Sequence, residues 1–436
     1  MTRHHWVRLR DSFWFLPALI LAGGIALATL LIWFDSSGPR PWMARWPRVF
    51  GAGAEGARGM LSTIAGSMMT VVGVTFSMTL VTLALASSQY SSRVLRNFIR
   101  DRVTQSVLGA YAAIFVYCII VLRTIRSADE GGFVPGMAVL VAVIGAVGGA
   151  GLLIYFIHHV AASIQASNIV GSVAEETTAA IDRLFPKRLG DDREGFDEDQ
   201  PLPPFPTREW QPILADATGY IQSVDNEALL RLAWGCDTIV RMDRGIGDFV
   251  VRDTPIASLA FVVAPDAKAV SALRQSYVIS RNRSIDQDAG FGLRQIVDMA
   301  LRALSPGIND TTTAVMCVDH LTAILAHMAS RPMPSPRRYA RGELRVIAIA
   351  PTFASAVDDA FDQIRESADG NVAIILRMLG GLQTIAGVTE NMNRRRVLAD
   401  HVRRLVELAA RTIEAPHDKA RVEARVAEVR EAIGLP

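Results

Sequence analysis

The sequence carries small hydroxyl side chains at helical spacing inside a long apolar segment. At about 100° per residue, four of them fall within about 80° of one another on one helix face. They are Thr63, Ser67, Thr70 and Ser77, and Gly59, Gly66 and Gly73 lie beside them. Along a water-filled path in an oligomer, such hydroxyls replace part of an ion's hydration. Small residues also allow membrane helices to pack closely, so the pattern indicates either a pore lining or a helix contact.

A block of arginines follows directly behind this apolar segment. It comprises Arg93, Arg96, Arg100 and Arg102. On a helix the first three share one face, and the opposite face is apolar. Such a basic helix binds anionic lipid headgroups, at about 1 kcal/mol per basic residue. The alternatives are the basic cytoplasmic mouth of an oligomeric pore, which would favour anions, and contact with acidic groups of the soluble part.

Two adjacent histidines, His158 and His159, end the last apolar segment. Neighbouring helical residues diverge by about 100°, so these two rings do not share a face in the way that helical metal ligands spaced four residues apart do. Because a histidine side chain titrates near pH ~6.5, we consider pH sensing at the membrane surface as their role.

The segment from Ser280 to Thr313 holds the densest polar cluster outside the apolar segments. Its candidate site residues are Arg294, Asp298, Arg302, Ser305, Asn309 and Asp310. The first three are four residues apart, which predicts an ion-pair ladder on one helix face. SPGIND is a turn signal, and Asp310 is placed to cap the next helix. A helix N-terminus also binds anions, although Asp310 would repel a phosphate there.

Composition and motif searches exclude several classes of function. A net charge of +2 leaves no domain-wide basic excess for nucleic acid. Cys118, Cys236 and Cys317 form no CxxC pair, and no catalytic pattern stands in a suitable context. GAGAEG fits a dinucleotide-binding pattern but follows no strand. We therefore expect no enzymatic activity, no cofactor and no metal site.

The elements that position these residues begin with four apolar segments. They cover residues 13–34, 60–86, 107–122 and 133–157, and none contains Asp, Glu, Lys or Arg. Because a charge at mid-bilayer costs several kcal/mol, their absence over such lengths predicts four membrane-spanning helices. Lysine and arginine are nearly balanced between the two sides. The large charged C-terminal part favours an inner (plasma) membrane protein with both termini in the cytoplasm.

The remaining sequence predicts a soluble part of several pieces. We expect a transmembrane domain at 1–160, a helical stalk at 161–186, a charged and proline-rich linker at 187–214, a small β-containing module at 215–264 and a mainly helical domain at 265–436. The expected fold class is a multi-spanning α-helical membrane domain followed by a mainly helical α+β cytoplasmic domain.

Three stretches together resemble a known bacterial family. They are VGVTFSMTLVTLALASSQYSSRVLRNFIRD, FIHHVAASIQ and IVDMALRALSPGINDTTTA. They resemble predicted membrane proteins grouped as domain of unknown function 2254, over most of the chain, and ALSPGIND is the most specific piece. Thr311 stands where that family commonly has proline. The resemblance implies a multi-spanning bacterial membrane protein and implies no activity.

Two functional hypotheses follow from these patterns. The first is an oligomeric channel-like or transport-related protein whose second span lines the path and whose cytoplasmic domain regulates it. The second is a membrane-anchored sensor or scaffold that conducts nothing. The expected partners are the lipid bilayer, further copies of the chain, and an ion or small solute, with no nucleic acid.

Overall fold

The computed structural model describes residues 14–37, 53–89, 101–127, 132–184, 209–261, 266–333, 335–349 and 351–434. The chain divides into two compact units, an N-terminal unit from Met1 to Asn168 and a C-terminal unit from Ile169 to Pro436. Most of the described residues are helical, and the strands lie in the C-terminal unit.

Four apolar helices form the described part of the N-terminal unit. They are α1 (Phe15–Ser36), α2 (Ala54–Gln89), α3 (Arg102–Thr124) and α4 (Gly136–Ser163). They correspond to the four apolar segments of the sequence. Helices satisfy their backbone hydrogen bonds within one segment, which is why apolar segments of this length form helices. α3 packs against α1, α2 and α4.

Polar side chains cap α3 and α4 where the two helices are joined. The Arg58 guanidinium donates to the Ile125 carbonyl oxygen at 2.8 Å and to Ser127 Oγ at 3.2 Å, at the C-terminal end of α3. Asp35 Oδ2 accepts a hydrogen bond from the Ala138 amide at 3.1 Å, in the first turn of α4. Both charges have the sign that the helix dipole favours at their respective ends.

The structure differs from the predicted stalk at the end of α4. The sequence predicted a helical stalk at 161–186; in the described residues α4 ends at Ser163, and α5 (Ala166–Leu184) begins after a turn. The Asn168 side chain donates to the Ala162 carbonyl oxygen at 2.7 Å. Because a helix end leaves carbonyls without intrahelical partners, such a side-chain donor stabilises the break.

The C-terminal unit contains two β-sheets. The strands are β1 (Glu209–Leu214), β2 (Gly219–Val224), β3 (Ile239–Met242), β4 (Phe249–Val250), β5 (Pro255–Phe261), β6 (Tyr277–Ser280), β7 (Arg337–Ala340) and β8 (Glu343–Ile347). One sheet has the order β1-β5-β3-β8-β7, and the other has the order β4-β2-β6. The pairing of β3 with β8 is parallel, and every other pairing among the described strands is antiparallel.

These sheets extend beyond the predicted β module of residues 215–264. β1 begins inside the predicted linker, and β6, β7 and β8 lie inside the predicted helical domain. Val240 of β3 pairs with Val346 of β8, which lies far away in sequence. Short strands that pair over such a separation leave no periodic signal that joins them, because periodicity reports only local conformation.

Helices form the rest of the described C-terminal unit. They are α6 (Asn226–Gly235), α7 (Ala267–Gln275), α8 (Ala289–Ala303), α9 (Thr311–Ala329), α10 (Phe353–Ser367), α11 (Val372–Ala386), α12 (Met392–Thr412) and α13 (Pro416–Ile433). Asn371 caps α11, and Pro416 is the first residue of α13; both residue types are recognised helix-start signals. From Ile169 onward, α5 belongs to this unit and buries one face, which includes Val170, Val173 and Thr177.

Five described helices are long and apolar enough to cross a membrane by length and composition. Four are α1 to α4, and the fifth is α9, which the four-span prediction did not include. Half of the apolar window of α9 is buried inside the protein, against 6%, 17%, 44% and 22% for α1, α2, α3 and α4. α9 packs against α8 and α11 within the C-terminal unit.

Candidate functional site

The hydroxyl-bearing face of α2 is the first candidate site. Thr63, Ser67, Thr70 and Ser77 are all exposed on the described chain. The buried positions of the same helix include Leu61, Ala65, Met68 and Thr75. At about 100° per residue, the two sets lie on opposite sides of α2. We call the exposed set, together with Gly59, Gly66 and Gly73, the hydroxyl face.

The glycines of the hydroxyl face meet no neighbouring element among the described residues. A Cβ added at Gly59, Gly66 or Gly73 would find no such atom within 4 Å. Glycines that pack inside this unit behave differently, since a Cβ at Gly24 would lie 2.9 Å from the Ala113 Cβ, and one at Gly109 would lie 2.9 Å from the Pro17 Cα. The helix contacts within the described unit therefore do not account for the glycines of the hydroxyl face.

Two hydroxyls of this face bond to their own helix. Thr63 Oγ1 donates to the Gly59 carbonyl oxygen at 2.8 Å, and Thr70 Oγ1 donates to the Gly66 carbonyl oxygen at 3.0 Å. Each hydroxyl keeps lone pairs that can accept a further hydrogen bond or contact a cation. The face can therefore tolerate lipid, and it can also offer oxygen atoms to water or ions.

Of the four arginines in the predicted basic segment, the structure describes only Arg102. Arg93, Arg96 and Arg100 lie outside the described residues. Arg102 is the first residue of α3, and its side chain is exposed.

Asp101 and His159 form a polar pair where α3 begins and α4 approaches its end. Arg58 and Asp35 lie at the other ends of these two helices. Asp101 caps α3, because its carboxylate accepts hydrogen bonds from the Val103 and Thr104 amides, each at 3.1 Å. The same carboxylate lies 2.9 Å from His159 Nε2. Partial burial raises the pKa of the Asp101 carboxyl, but the hydrogen bonds from Thr104 and His159 outweigh this effect and lower it overall.

The two adjacent histidines have different surroundings, as their angular separation predicts. His158 is exposed, whereas His159 is half-buried beside Asp101. The Tyr155 ring stacks on His159 with 6.1 Å between the ring centroids. The D-x-x-T pattern of a helix cap could have identified Asp101 in the sequence, but its partner lies 58 residues further along the chain.

The predicted polar cluster in the C-terminal unit is built around a helix and a turn. Arg294 pairs with Asp298 at 3.0 Å on α8, and Arg302 is exposed one turn later. Asp310 caps α9, accepting hydrogen bonds from the Thr313 amide at 3.0 Å and from its hydroxyl at 2.6 Å.

The SPGIND turn closes through its own groups. Ser305 Oγ donates to the Arg302 carbonyl oxygen at 2.6 Å, and Asn309 has a φ of 48°. The hydrogen bonds from Thr313 lower the pKa of the Asp310 carboxyl. A carboxylate that is ionised and exposed at this helix start disfavours an anion there, so the geometry fits a turn and a capped helix.

A second charged cluster, between α10 and α12, was absent from the sequence-based interpretation. The ligand atoms of Asp358, Asp362 and His401 lie within 4.8 Å of one another. Arg404 Nη1 lies 3.0 Å from Asp358 Oδ1 and 3.0 Å from Asp362 Oδ2, where a bound cation would lie. Since the arginine already balances these carboxylates, we assign the cluster as an ion-pair network and not as a metal centre.

Comparison with known proteins identifies a family and several relatives of this chain. Residues 10–384 match the family described as Predicted membrane protein (DUF2254). The uncharacterised protein Mb1321c of Mycobacterium bovis is 32% identical over 435 residues, which are 98% of this chain and 82% of that protein. The uncharacterised protein Rv1290c of Mycobacterium tuberculosis has the same identity and coverage. No solved structure matches the chain. With apolar helices of spanning length and a family match over most of its residues, the chain belongs to the DUF2254 family of predicted membrane proteins.

Proposed function

We propose that copies of this chain assemble in the bacterial inner membrane and that the hydroxyl face of α2 lines a path for ions or small solutes. The observation that carries the proposal is the orientation of this face. It lies opposite the packed side of α2, and its glycines meet no described neighbouring element. In an oligomer around a central axis, four hydroxyls from each copy would offer oxygen atoms along one line.

The proposal places both chain ends in the cytoplasm and gives the C-terminal unit a regulatory role. Four spans bring the ends to one side, and the C-terminal unit has its own apolar core, which includes Leu229, Val240 and Leu259. Arg102 and the preceding arginines would then lie at the cytoplasmic end of the path, where positive charge favours anions.

Flux through liposomes tests the proposal. Purified protein in vesicles should release a trapped ion or small solute, and Ser67→Leu should reduce this flux because it places a bulky apolar group on the hydroxyl face. Phe76→Trp is the control for added bulk, since Phe76 is also exposed on α2 but lies about 180° from Ser67 and outside the hydroxyl face. A vesicle preparation with protein in both orientations and no flux would rule out conduction.

The alternative is a membrane-anchored sensor or scaffold. The internal hydrogen bonds of Thr63 and Thr70 favour it, because hydroxyls that are already bonded can face lipid. Under this alternative, deletion of residues 200–436 would abolish partner binding and leave membrane insertion intact. A monomer in detergent with no flux in vesicles would favour the scaffold, whereas a stable oligomer with Ser67-dependent flux would exclude it.

A further inference from the structure

The contact between α10 and α12 depends on a small set of charged and titratable side chains. His401 Nε2 on α12 lies 3.0 Å from Asp358 Oδ1 on α10, and Arg404 Nη1 lies 3.0 Å from the same oxygen. Arg404 also bonds Asp362 of α10 at 3.0 Å and Asp400 of its own helix at 2.7 Å. Asp358 is thus shared between a histidine and an arginine.

Burial holds His401 in its neutral form. Its side chain is only 3% exposed, whereas the Asp358 side chain is 45% exposed. A carboxylate only accepts hydrogen bonds, so neutral His401 must donate to it through Nε2–H. Burial lowers the pKa of His401, the nearby Arg404 acts in the same direction, and Asp358 and Asp362 oppose both without overcoming them.

Protonation would disturb this arrangement in two ways. The imidazolium carries a second N–H, at Nδ1, which needs an acceptor or water in a buried position. Its charge also competes with Arg404 for Asp358 and Asp362. Both effects favour an opened state in which the ring reaches water.

We propose that His401 makes the α10–α12 contact an acid-responsive latch, closed while the ring is neutral and loosened when the ring takes up a proton. Because the opened state binds the proton more readily, stability increases with pH. The contribution of His401 is complete well above pH ~6.5 and is lost progressively as the pH falls below that value. The latch is a property of the C-terminal unit and does not depend on conduction.

Hydrogen exchange of the full chain in detergent tests the latch directly. After correction for the intrinsic effect of pH on exchange, the α12 amides should open more often at pH 5.5 than at pH 7.5, by up to about tenfold. The amides of α6 serve as the internal reference. No acid-dependent opening of α12 in the unmodified protein would overturn the proposal.

A matched pair of variants separates His401 from general acid sensitivity. His401→Gln keeps an N–H donor toward Asp358 but cannot take up a proton, so its thermal stability should change less between pH 7.5 and 5.5 than that of the unmodified protein. His417→Gln, which removes an exposed histidine from α13, should leave the pH profile unchanged. Equal pH profiles for His401→Gln and the unmodified protein would also overturn the proposal.

Discussion

Asp101 connects two helices of the N-terminal unit through one carboxylate. Its oxygens accept hydrogen bonds from the first turn of α3, and Oδ2 also lies 2.9 Å from His159 Nε2 on α4. A carboxylate at a helix N-terminus satisfies amides that have no intrahelical partner and interacts favourably with the helix dipole. One residue therefore supplies both a helix cap and a contact between helices.

Two substitutions of Asp101 distinguish the contribution of its hydrogen bonds from that of its charge. Asp101→Ala removes the cap and the acceptor for His159, so we expect a loss of about 1–2 kcal/mol in the free energy of unfolding. Asp101→Asn keeps an efficient capping side chain and removes only the charge, so its loss should be smaller. Thermal unfolding in detergent, followed by tryptophan fluorescence, measures both variants. Equal stabilities for Asp101→Ala and the unmodified protein would exclude the capping role.

At the scale of elements, α5 and α8 meet at a glycine. A Cβ at Gly292 of α8 would lie 1.9 Å from Thr177 Oγ1 and 2.9 Å from the Thr177 Cβ of α5. Thr177 is fully buried, and its hydroxyl donates to the Val173 carbonyl oxygen of its own helix at 2.6 Å. Only glycine therefore permits this close approach of the two helices. A hydrogen bond also joins α5 to α9, with 2.6 Å between Asp182 Oδ1 and His327 Nε2.

Gly292→Ala should destabilise the C-terminal unit. The added methyl group forces α5 away from α8, and overpacking of this kind costs about 1–3 kcal/mol. Thr177→Ala in the same chain should recover part of the loss, because it removes the nearest atom, Oγ1. Gly307→Ala is the control, since a Cβ there would meet no described atom within 4 Å. Chemical denaturation gives the three values, and equal effects of Gly292→Ala and Gly307→Ala would contradict the packing argument.

For the whole molecule, the question is whether α9 crosses the membrane or belongs to the core of the C-terminal unit. It is apolar enough to cross a membrane, yet half of its apolar window is buried within the C-terminal unit. It also carries Asp319, whose carboxylate pairs with Arg377 of α11, and His327, which bonds Asp182. Charged groups are costly at mid-bilayer, so these pairs favour a helix of a water-soluble core.

Two fragments, divided at the boundary between the two units, test whether α9 belongs to a water-soluble core. A chain of residues 169–436 should remain soluble without detergent and unfold cooperatively, because α9 is covered by its own unit. A chain of residues 1–168 should partition into membranes. Fractionation followed by circular dichroism of the soluble fragment provides the measurement. A requirement of residues 169–436 for detergent would contradict this description and would favour α9 as a further membrane span.

The helices themselves could be predicted with useful accuracy from local patterns. The apolar segments, the cap at Asn371 and the proline start at Pro416 all correspond to observed helices, because helix formation depends on periodicity and end signals within one segment. The break between α4 and α5 could not be predicted in this way, since the hydrogen bond from the Asn168 side chain to the Ala162 carbonyl oxygen is not part of the apolar pattern.

Local sequence patterns are enough to identify the apolar segments, the residues that share the hydroxyl face of α2, and the turn before α9. The folded structure is needed to see that this face lies opposite the packed side of α2, that Asp101 meets His159, and that His401 and Arg404 share Asp358. This difference arises because helical periodicity states only which residues share a face. What that face contacts depends on how distant segments pack, and packing is a property of the folded chain as a whole.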